Sequence, residues 1–239
     1  MTTKIEQPLS QKRLYRYHDV IGLLSAAGPG FSGPVSVITG PVDELYVANR
    51  ASPNQPEAVR ITRCTKEGDF LEHFGEWGEE PGQFIWVTSI AFSPQAELYL
   101  ADERSNQISV FDGNNSFVRR FGEPGSGPSQ FDRPSGVAFG PGGNLYVVDT
   151  LNHRVQILTT EGDFVSQWGG LGARDGQLNM PWGIAIDDAG DVYIADWRND
   201  RVQKFDADGK FMMSFGSSGD CEGQFNRPNG IAVDGDGDI

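Results

Sequence analysis

The chain has 239 residues and a formal net charge of −14, with 19 Lys and Arg against 33 Asp and Glu. Hydrophobic residues make up 38% and charged residues 22%, which is the ordinary balance of a soluble globular protein. Because nucleic-acid binders depend on Lys and Arg for their phosphate contacts, nucleic acid ranks low among the expected partners.

No targeting or membrane segment is predicted. No apolar stretch approaches the roughly 18 residues of a membrane span. Residues 20–28, VIGLLSAAG, are interrupted by Gly22 and make a poor signal peptide, so we expect a cytoplasmic protein without membrane contact. Cys64 and Cys221 lack any C-x-x-C context, which favours free thiols over a disulfide scaffold or a zinc ribbon.

The N-terminal segment predicts a tail followed by a single strand. Residues 1–13 are mixed and polar. In residues 14–22, Tyr17 and Ile21 have the spacing of Phe70 and Phe74, which end the first of several repeated units. We therefore expect residues 14–22 to form a lone outer strand that completes a sheet at the other end of the chain.

From residue 34 onwards the chain repeats with a period of 47 residues. Glutamines of the GQF-like signal keep this spacing, as do tyrosines inside apolar runs; they are Gln83, Gln130, Gln177 and Gln224, and Tyr99, Tyr146 and Tyr193. Four units follow from these anchors, at approximately 34–75, 87–122, 134–169 and 181–216.

Each unit contains four short apolar stretches separated by polar turns. In the fourth unit these stretches begin at Gly183, Asp191, Arg201 and Lys210. The alternation of Phe211, Met213 and Phe215 predicts an outer strand with one buried face. The VYIA run is apolar throughout and predicts a strand covered on both faces. The unit is therefore predicted to be a four-stranded antiparallel sheet.

The last residues, 228–239, predict the first strand of a fifth unit. They include DGDGD at 234–238, which aligns with DDAGD at 187–191 and GPGGN at 140–144. We interpret DGDGD as the turn between first and second strands, because a calcium loop would need further ligands beyond it.

In a row of sheets that cover one another, the outer faces of the first and last sheets remain exposed unless the row closes into a ring. Four-stranded repeats of about 40–50 residues are typical of a β-propeller. The predicted fold is an all-β propeller over residues 14–239, with four full blades plus flanking strands. Closure needs further strands, so we expect a C-terminally truncated part of a larger, six-bladed propeller.

The segments GQFNRPNGIAVD and DVYIADWRNDRVQKFDADGKFMMSFG resemble the NHL repeat through GQF, P-x-G-I-A-V-D, Y-V-A-D, N-x-R-V-Q and a closing FG. The resemblance covers nearly the whole chain from Leu14. The first unit is the most divergent, with Asn49 in place of Asp and six extra residues in 50–59. The second has Val87 and Ser89 where its neighbours carry Pro and Gly.

This resemblance implies a non-enzymatic platform that binds a protein, a peptide or a small ligand. One alternative is a propeller enzyme, either a metal-dependent lyase of the peptidyl-hydroxyglycine amidating type or a lactone hydrolase, whose central site further blades complete. A second alternative is a substrate-recognition or RNA-binding module, as in tripartite-motif ubiquitin ligases. The fold alone decides between none of them.

A metal-dependent lyase would bring histidines from different blades to the centre. The three histidines, His18, His73 and His153, occupy non-equivalent positions. We therefore predict no metal site and no cofactor within this sequence.

Acidic and basic residues that recur in successive units predict structural roles. Asp102, Asp149 and Asp196 each follow an apolar second strand. Arg154 and Arg201 lie five residues after two of them. Their repetition indicates that they cap a turn and pair across it, and argues against a catalytic constellation.

Residues that differ between units at equivalent loop positions are the candidates for a binding site. The connections into each first strand and the turns between second and third strands share one end of the ring, which we call the loop face. Large aromatics beside arginines there are typical of recognition hot spots. The predicted ligand-binding residues are Trp86, Thr88, Arg133, Ser135, Trp182, Trp197, Arg198 and Asn229.

The alternative is that these tryptophans only cover the inner rim of the ring. The connection between the first and second units contains acidic residues that also lie on the loop face, namely Glu76, Glu79 and Glu80. They either attract a basic peptide or serve solubility.

Overall fold

A computed structural model describes residues 20–22, 24–25, 28–50 and 54–239. Within them the chain forms β-strands and three short 3-10 helices, at Pro56–Ala58, Thr150–Asn152 and Trp197–Asn199. Its main sheets are four-stranded and antiparallel, and each keeps the order of its strands along the chain. The prediction of an all-β propeller of four-stranded blades is confirmed.

The four blades follow one another along the chain. Blade 1 contains β1 (Pro34–Thr39), β2 (Leu45–Asn49), β3 (Arg60–Cys64) and β4 (Phe70–Phe74), and is followed by β5 (Glu76–Trp77) and β6 (Gln83–Phe84). Blade 2 contains β7 (Val87–Phe92), β8 (Leu98–Asp102), β9 (Gln107–Phe111) and β10 (Phe117–Phe121), and is followed by β11 (Glu123–Pro124) and β12 (Gln130–Phe131). Blade 3 contains β13 (Pro134–Phe139), β14 (Leu145–Asp149), β15 (Arg154–Leu158) and β16 (Phe164–Gly169). Blade 4 contains β17 (Pro181–Ile186), β18 (Val192–Asp196), β19 (Arg201–Phe205) and β20 (Phe211–Phe215).

The second strand of each blade is covered on both faces, as its unbroken apolar run predicts. Every residue of β8, β14 and β18 is buried. The core consists of layers between adjacent blades; in one of them Tyr99 and Ile108 of blade 2 pack with Val137 and Leu145 of blade 3. The hydrophobic effect therefore fixes the position of each blade against the next.

The outer strand of blade 4 departs from the predicted alternation. Phe211 and Phe215 are partly buried, but Met213 is 50% exposed. The register shifts between Lys204 and Phe205, which places a β-bulge next to Met212. An extra residue in one strand reverses the facing of its neighbours, so the prediction for Met213 is wrong.

The first strands line a central channel of about 390 Å³. Most of the residues that line it are aliphatic, among them Val37, Ile90, Val137 and Ile184. Ile231 continues this wall beside blade 4.

Residues 228–239 contain no strand, contrary to the prediction, since no second strand in the described residues pairs with them. The turn at 234–238 is as predicted. Asp234 N–H donates to the Asp238 carbonyl at 3.0 Å, as Asp187 N–H donates to that of Asp191 at 3.0 Å.

The predicted outer strand at 14–22 lies outside the described residues up to position 19, and residues 20–22 are not in a strand. The connection that follows matches those between the blades. Leu24 forms a parallel bridge with Phe31, and the Phe31 ring fills the space beside Gly22. The corresponding pairs elsewhere are Trp77 with Phe84 and Pro124 with Phe131.

Cys64 is buried and Cys221 is exposed, and both are free thiols. Across the described ranges, no helix has the length and apolar character needed to span a bilayer.

Candidate functional site

The repeated aspartates form buried networks that hold each blade to the connection before it. Asp149 is 0% exposed and its Oδ2 accepts from Arg154 Nε at 2.8 Å and from Asn152 Nδ2 at 2.9 Å. Its Oδ1 accepts the Asp132 N–H at 2.7 Å. Burial raises the pKa of Asp149, while these hydrogen bonds act in the opposite direction. Asp196 has the same arrangement with Arg201 at 2.8 Å.

The arginine of this network also ties down backbone carbonyls. Arg154 Nη1 donates to the Ser126 carbonyl at 2.8 Å, and its Nη2 donates to those of Gly127 and Gln130 at 2.9 and 3.0 Å. In blade 1, Arg60 donates to carbonyls of the connection at residues 25–30 in the same way. These recurring residues therefore have the structural role that their repetition predicts.

The two sets of loops on the loop face are joined by backbone hydrogen bonds. Glu103 N–H donates to the Trp86 carbonyl at 3.0 Å, and Arg198 N–H donates to the Asn179 carbonyl at 3.0 Å. Side chains that precede a first strand and side chains that follow a second strand therefore meet at one end of the ring. We call the part of the loop face around Trp86, Arg133, Trp182 and Trp197 the mouth.

Three mouth residues are held in left-handed backbone conformations. Arg133, Met180 and Arg227 have φ values of 57°, 51° and 54°. Each donates its N–H to a side chain of the preceding blade, namely Asn106 Oδ1 at 2.7 Å, His153 Nδ1 at 3.0 Å and Asp200 Oδ1 at 2.7 Å. Left-handed non-glycine residues persist only where their surroundings impose that conformation, and they concentrate at functional sites. The side chains at these positions are thus presented from a fixed backbone.

Blades 1 to 3 share an ion-pair cluster at the mouth. Glu103 is 5% exposed and lies between two arginines, with Arg50 Nη1 at 2.9 Å and Arg133 Nη1 at 3.6 Å. The Arg50 guanidinium also stacks 4.7 Å from the centre of the Trp86 ring. A cation over an aromatic face is attracted by the ring quadrupole, which holds both groups in place. Arg50 and Glu103 therefore link Trp86 to Arg133.

Blade 4 provides a second aromatic cluster. The guanidinium of Arg198 lies 4.9 Å from the centre of the Trp197 ring, and that of Arg227 lies 5.1 Å from it. Arg198 and Arg227 are exposed, while Trp197 is half-buried. The ring is thereby oriented by two cations and keeps part of its surface open to solvent.

Thr88 and Ser135 are buried between blades. Ser135 is 1% exposed; its Oγ donates to the Trp182 carbonyl at 2.8 Å. Thr88 is 7% exposed, and its Oγ1 donates to the Pro134 carbonyl at 3.1 Å. The structure therefore places these two predicted binding residues in the contacts between first strands, away from solvent. Sequence position alone does not distinguish a hydroxyl facing the next blade from one facing a ligand.

Trp182 is half-buried between these contacts and the mouth, and Asn229 is exposed. The backbone of Asn229 packs closely on β17, since a Cβ built at Gly183 would lie 2.3 Å from the Asn229 carbonyl oxygen. Asn229 thus adjoins the same end of the ring as Trp182.

Arg50, Glu103 and Arg227 contact the mouth residues but are absent from the predicted binding set. Arg50 is the clearest case. It directly follows β2, as Glu103 follows β8. A reversal of charge at equivalent positions of adjacent blades is a signal that could have identified this ion pair.

Histidines do not form a shared site in the described part of the chain. His73 is exposed on the outer strand of blade 1, and His153 lies in the turn before β15; His18 is outside the described residues. Burial lowers the pKa of His153, which keeps its Nδ1 available as the acceptor for Met180 N–H. Within the ranges that the structure describes, no group of three or more His, Cys, Asp or Glu has the geometry to hold a metal ion.

Comparison with solved structures gives propellers at low sequence identity. The chain superposes on a streptogramin B lyase with a TM-score of 0.61 at 16% identity, over 86% of this chain and 60% of that one. For an inactive H270A virginiamycin B lyase from Staphylococcus aureus with quinupristin, the TM-score is 0.56 at 16% identity, over 76% and 55%. For the RRP9 WD40 repeats it is 0.59 at 18% identity, over 80% and 52%.

At these identities the likeness is one of fold alone. The chain spans 55% and 60% of the length of the two lyases. A comparison with curated protein sequences gives no match. The NHL repeat family matches residues 131–158 and 178–205, which carry the network arginines Arg154 and Arg201. The chain is therefore a β-propeller that carries NHL repeats.

Proposed function

We propose that this propeller is a binding platform whose mouth holds an acidic peptide segment of a partner protein. The observation that supports this proposal is the contrast within the repeat. Positions such as Asp149 and Asp196 are identical between blades and buried, whereas the mouth positions carry unlike, large and partly exposed side chains. Propeller architecture accounts for the first set but does not require the residues of the second set to be large and partly exposed, even where they pair with one another.

The charge of the mouth favours an acidic ligand. Four of its arginines are exposed, namely Arg104, Arg133, Arg198 and Arg227. Of the nearby carboxylates, Glu103 is buried between arginines, Asp200 accepts the Arg227 N–H, and Asp132 is exposed beside Arg133, so exposed arginines outnumber exposed carboxylates. Guanidinium groups bind carboxylates through paired hydrogen bonds, so a locally basic mouth on a strongly acidic chain selects an acidic segment.

The tryptophans supply apolar contact area. Trp86, Trp182 and Trp197 are each half-buried, and two of them are already oriented by arginine. A side chain that is ordered before binding loses little conformational entropy when the ligand arrives. Tryptophan and arginine are also the residues that most often dominate binding energies at protein interfaces.

The acidic residues of the connection between blades 1 and 2 favour a basic partner, but such a partner fits the mouth less well. Glu76 Oε1 accepts from Gln83 Nε2 at 2.9 Å, so one of these carboxylates is engaged within its own loop. The likeness to lyases extends to the fold only and carries no enzymatic proposal for this chain.

The test is a screen of displayed acidic peptides followed by titration of the selected peptide with Trp182→Ala and Arg133→Ala variants. Each substitution is expected to weaken binding by about 2 kcal/mol, or roughly 30-fold. Trp77→Ala is the matched control, because Trp77 is 52% exposed on β5. Undiminished binding by both mouth variants would reject the site.

A further inference from the structure

The network arginine is absent from one blade. Arg60, Arg154 and Arg201 open the third strands of blades 1, 3 and 4, whereas Gln107 opens β9 in blade 2. The adjoining network positions are also shortened there, because Ser105 and Ser109 stand where blade 3 has Asn152 and Gln156. Blade 2 therefore lacks the side-chain atoms that fill this region elsewhere.

A cavity of about 280 Å³ occupies the place of the missing guanidinium. Asp102, Gln107, Ser109 and the exposed Arg120 line it from blade 2, and Gln83 lines it from the preceding connection. In blade 3 the corresponding connection carries the carbonyls to which Arg154 donates. The smallest sites that hold small molecules have volumes of about 300 Å³, and the cavity is close to them in size.

The cavity retains the buried aspartate of the network, but in the described residues no cation lies within ion-pair distance of that carboxylate. Asp102 is 2% exposed; its Oδ2 accepts the Ile85 N–H at 2.7 Å, and its Oδ1 accepts those of Trp86, Arg104 and Ser105 at 3.1, 2.9 and 3.3 Å. Asp149 and Asp196 each have an arginine Nε at 2.8 Å, whereas in the described part of the chain Asp102 forms no ion pair. A buried carboxylate of this kind is stabilised by a cation that also donates hydrogen bonds.

The backbone acceptors are also only partly engaged. The Gln130 carbonyl of blade 3 accepts from both Arg154 and Gln156, at 3.0 and 2.7 Å. In the ranges described, no side chain donates to the equivalent Gln83 carbonyl. Arg120 of β10 donates to the Glu79 carbonyl at 2.7 Å and so takes over one of the arginine's contacts from the solvent side. Gln83, which carries one of the remaining acceptors, lines the cavity.

We propose that this cavity, defined by Asp102, Gln107, Ser109 and Gln83, is a binding site for the guanidinium group of an arginine side chain from a partner. The ligand takes the place that Arg154 and Arg201 occupy in their own blades, with the planar group between the aspartate and the carbonyls of the connection. Glu79, exposed at the cavity's edge, favours the approach of a cation and offsets the charge of Arg120, which also lines the cavity. This site is separate from the mouth and does not depend on the acidic peptide proposed to bind there.

The probe is N-acetyl-arginine methylamide, titrated into the isotopically labelled chain and followed by amide NMR. We expect saturable shifts in residues 78–83, 102–109 and 120. N-acetyl-lysine methylamide at equal ionic strength is the matched control, and its compact ammonium is expected to bind at least about tenfold more weakly, since it cannot make paired hydrogen bonds.

The quadruple variant Ser105→Asn, Gln107→Arg, Ser109→Gln, Arg120→Gln restores the network of blade 3, including the glutamine equivalent to Gln167, and fills the cavity. It is expected to fold with equal or higher thermal stability and to lose the arginine-derivative shifts. Shifts that persist in this variant, that are equal for the lysine derivative, or that do not saturate would overturn the proposal. A cavity occupied by water only would give no shifts in the parent chain and would overturn it as well.

Discussion

Arg154 fastens the connection between blades 2 and 3, and its replacement by glutamine tests how much that anchor contributes to stability. The side chain makes five hydrogen bonds, one to Asp149, one to Gln167 and three to carbonyls of the connection. Arg154→Gln leaves the fully buried Asp149 carboxylate without its cation.

The expected loss follows from this geometry. Removing one partner of a buried ion pair costs about 3–5 kcal/mol. Asp149 keeps the Asn152 side chain and the Asp132 N–H as donors, so we expect the lower end of this range, about 3 kcal/mol. For a chain of this size that corresponds to a fall in Tm of about 6–12 °C.

Urea unfolding followed by circular dichroism measures the change, with a lower midpoint and an unchanged m-value expected. Lys210→Gln is the control, because Lys210 is exposed and its side chain lies outside the network; its effect is expected to stay within about 0.5 kcal/mol. A loss below about 1 kcal/mol for Arg154→Gln would refute the view that this pair secures the blade.

Two further predictions concern the turns. The pKa of His153 is lowered in the folded chain, so the unfolded chain binds more protons at acidic pH. Stability is therefore retained above the ordinary histidine pKa of about 6.5 and falls as the pH drops below that value. His153→Asn keeps an acceptor for Met180 N–H, as Asn106 does for Arg133 N–H in blade 2. The variant should reduce the dependence of the unfolding free energy on pH between pH 5 and 8. An unchanged dependence contradicts the assignment to His153. Gly209 has a φ of 81° and a Cβ there would lie 2.1 Å from the Trp168 ring, so Gly209→Ala is expected to cost about 2 kcal/mol or more in thermal unfolding, and a neutral result would contradict the described packing.

Much of the fold can be predicted from the sequence because the residues that recur every 47 positions mark the equivalent strands and turns. The continuous apolar run around Tyr146 predicts a doubly covered strand, and the recurrence of Asp149 and Arg154 predicts their pairing. Both inferences concern residues close in the chain, where strand period and turn chemistry determine the outcome.

Features that depend on contacts between blades could not be predicted in this way. Arg50 and Glu103 are 53 positions apart, and their ion pair depends on the distance between two neighbouring turns. The burial of Ser135 depends on which first strand its hydroxyl faces. The β-bulge that exposes Met213 is a local shift of register that the alternating pattern does not record.

The missing arginine of blade 2 was visible in the sequence, but its meaning was not. In the sequence, Gln107 in place of arginine is ordinary divergence between repeats. The contacts of Arg154 and Arg201 show which side chain fills the equivalent space in blades 3 and 4. The cavity is recognisable only by comparing blades in three dimensions.

The central claim is that recurring side chains build the ring while the unlike residues of the mouth bind a partner. Hydrogen–deuterium exchange of the chain with and without its selected acidic peptide tests this most directly, because the two ends of the ring carry different turns. Slower exchange is predicted in 84–88, 132–135, 179–182 and 197–200, with no change in the opposite turns at 93–97, 140–144 and 187–191. Protection confined to those opposite turns, or to the outer strands, would contradict the claim.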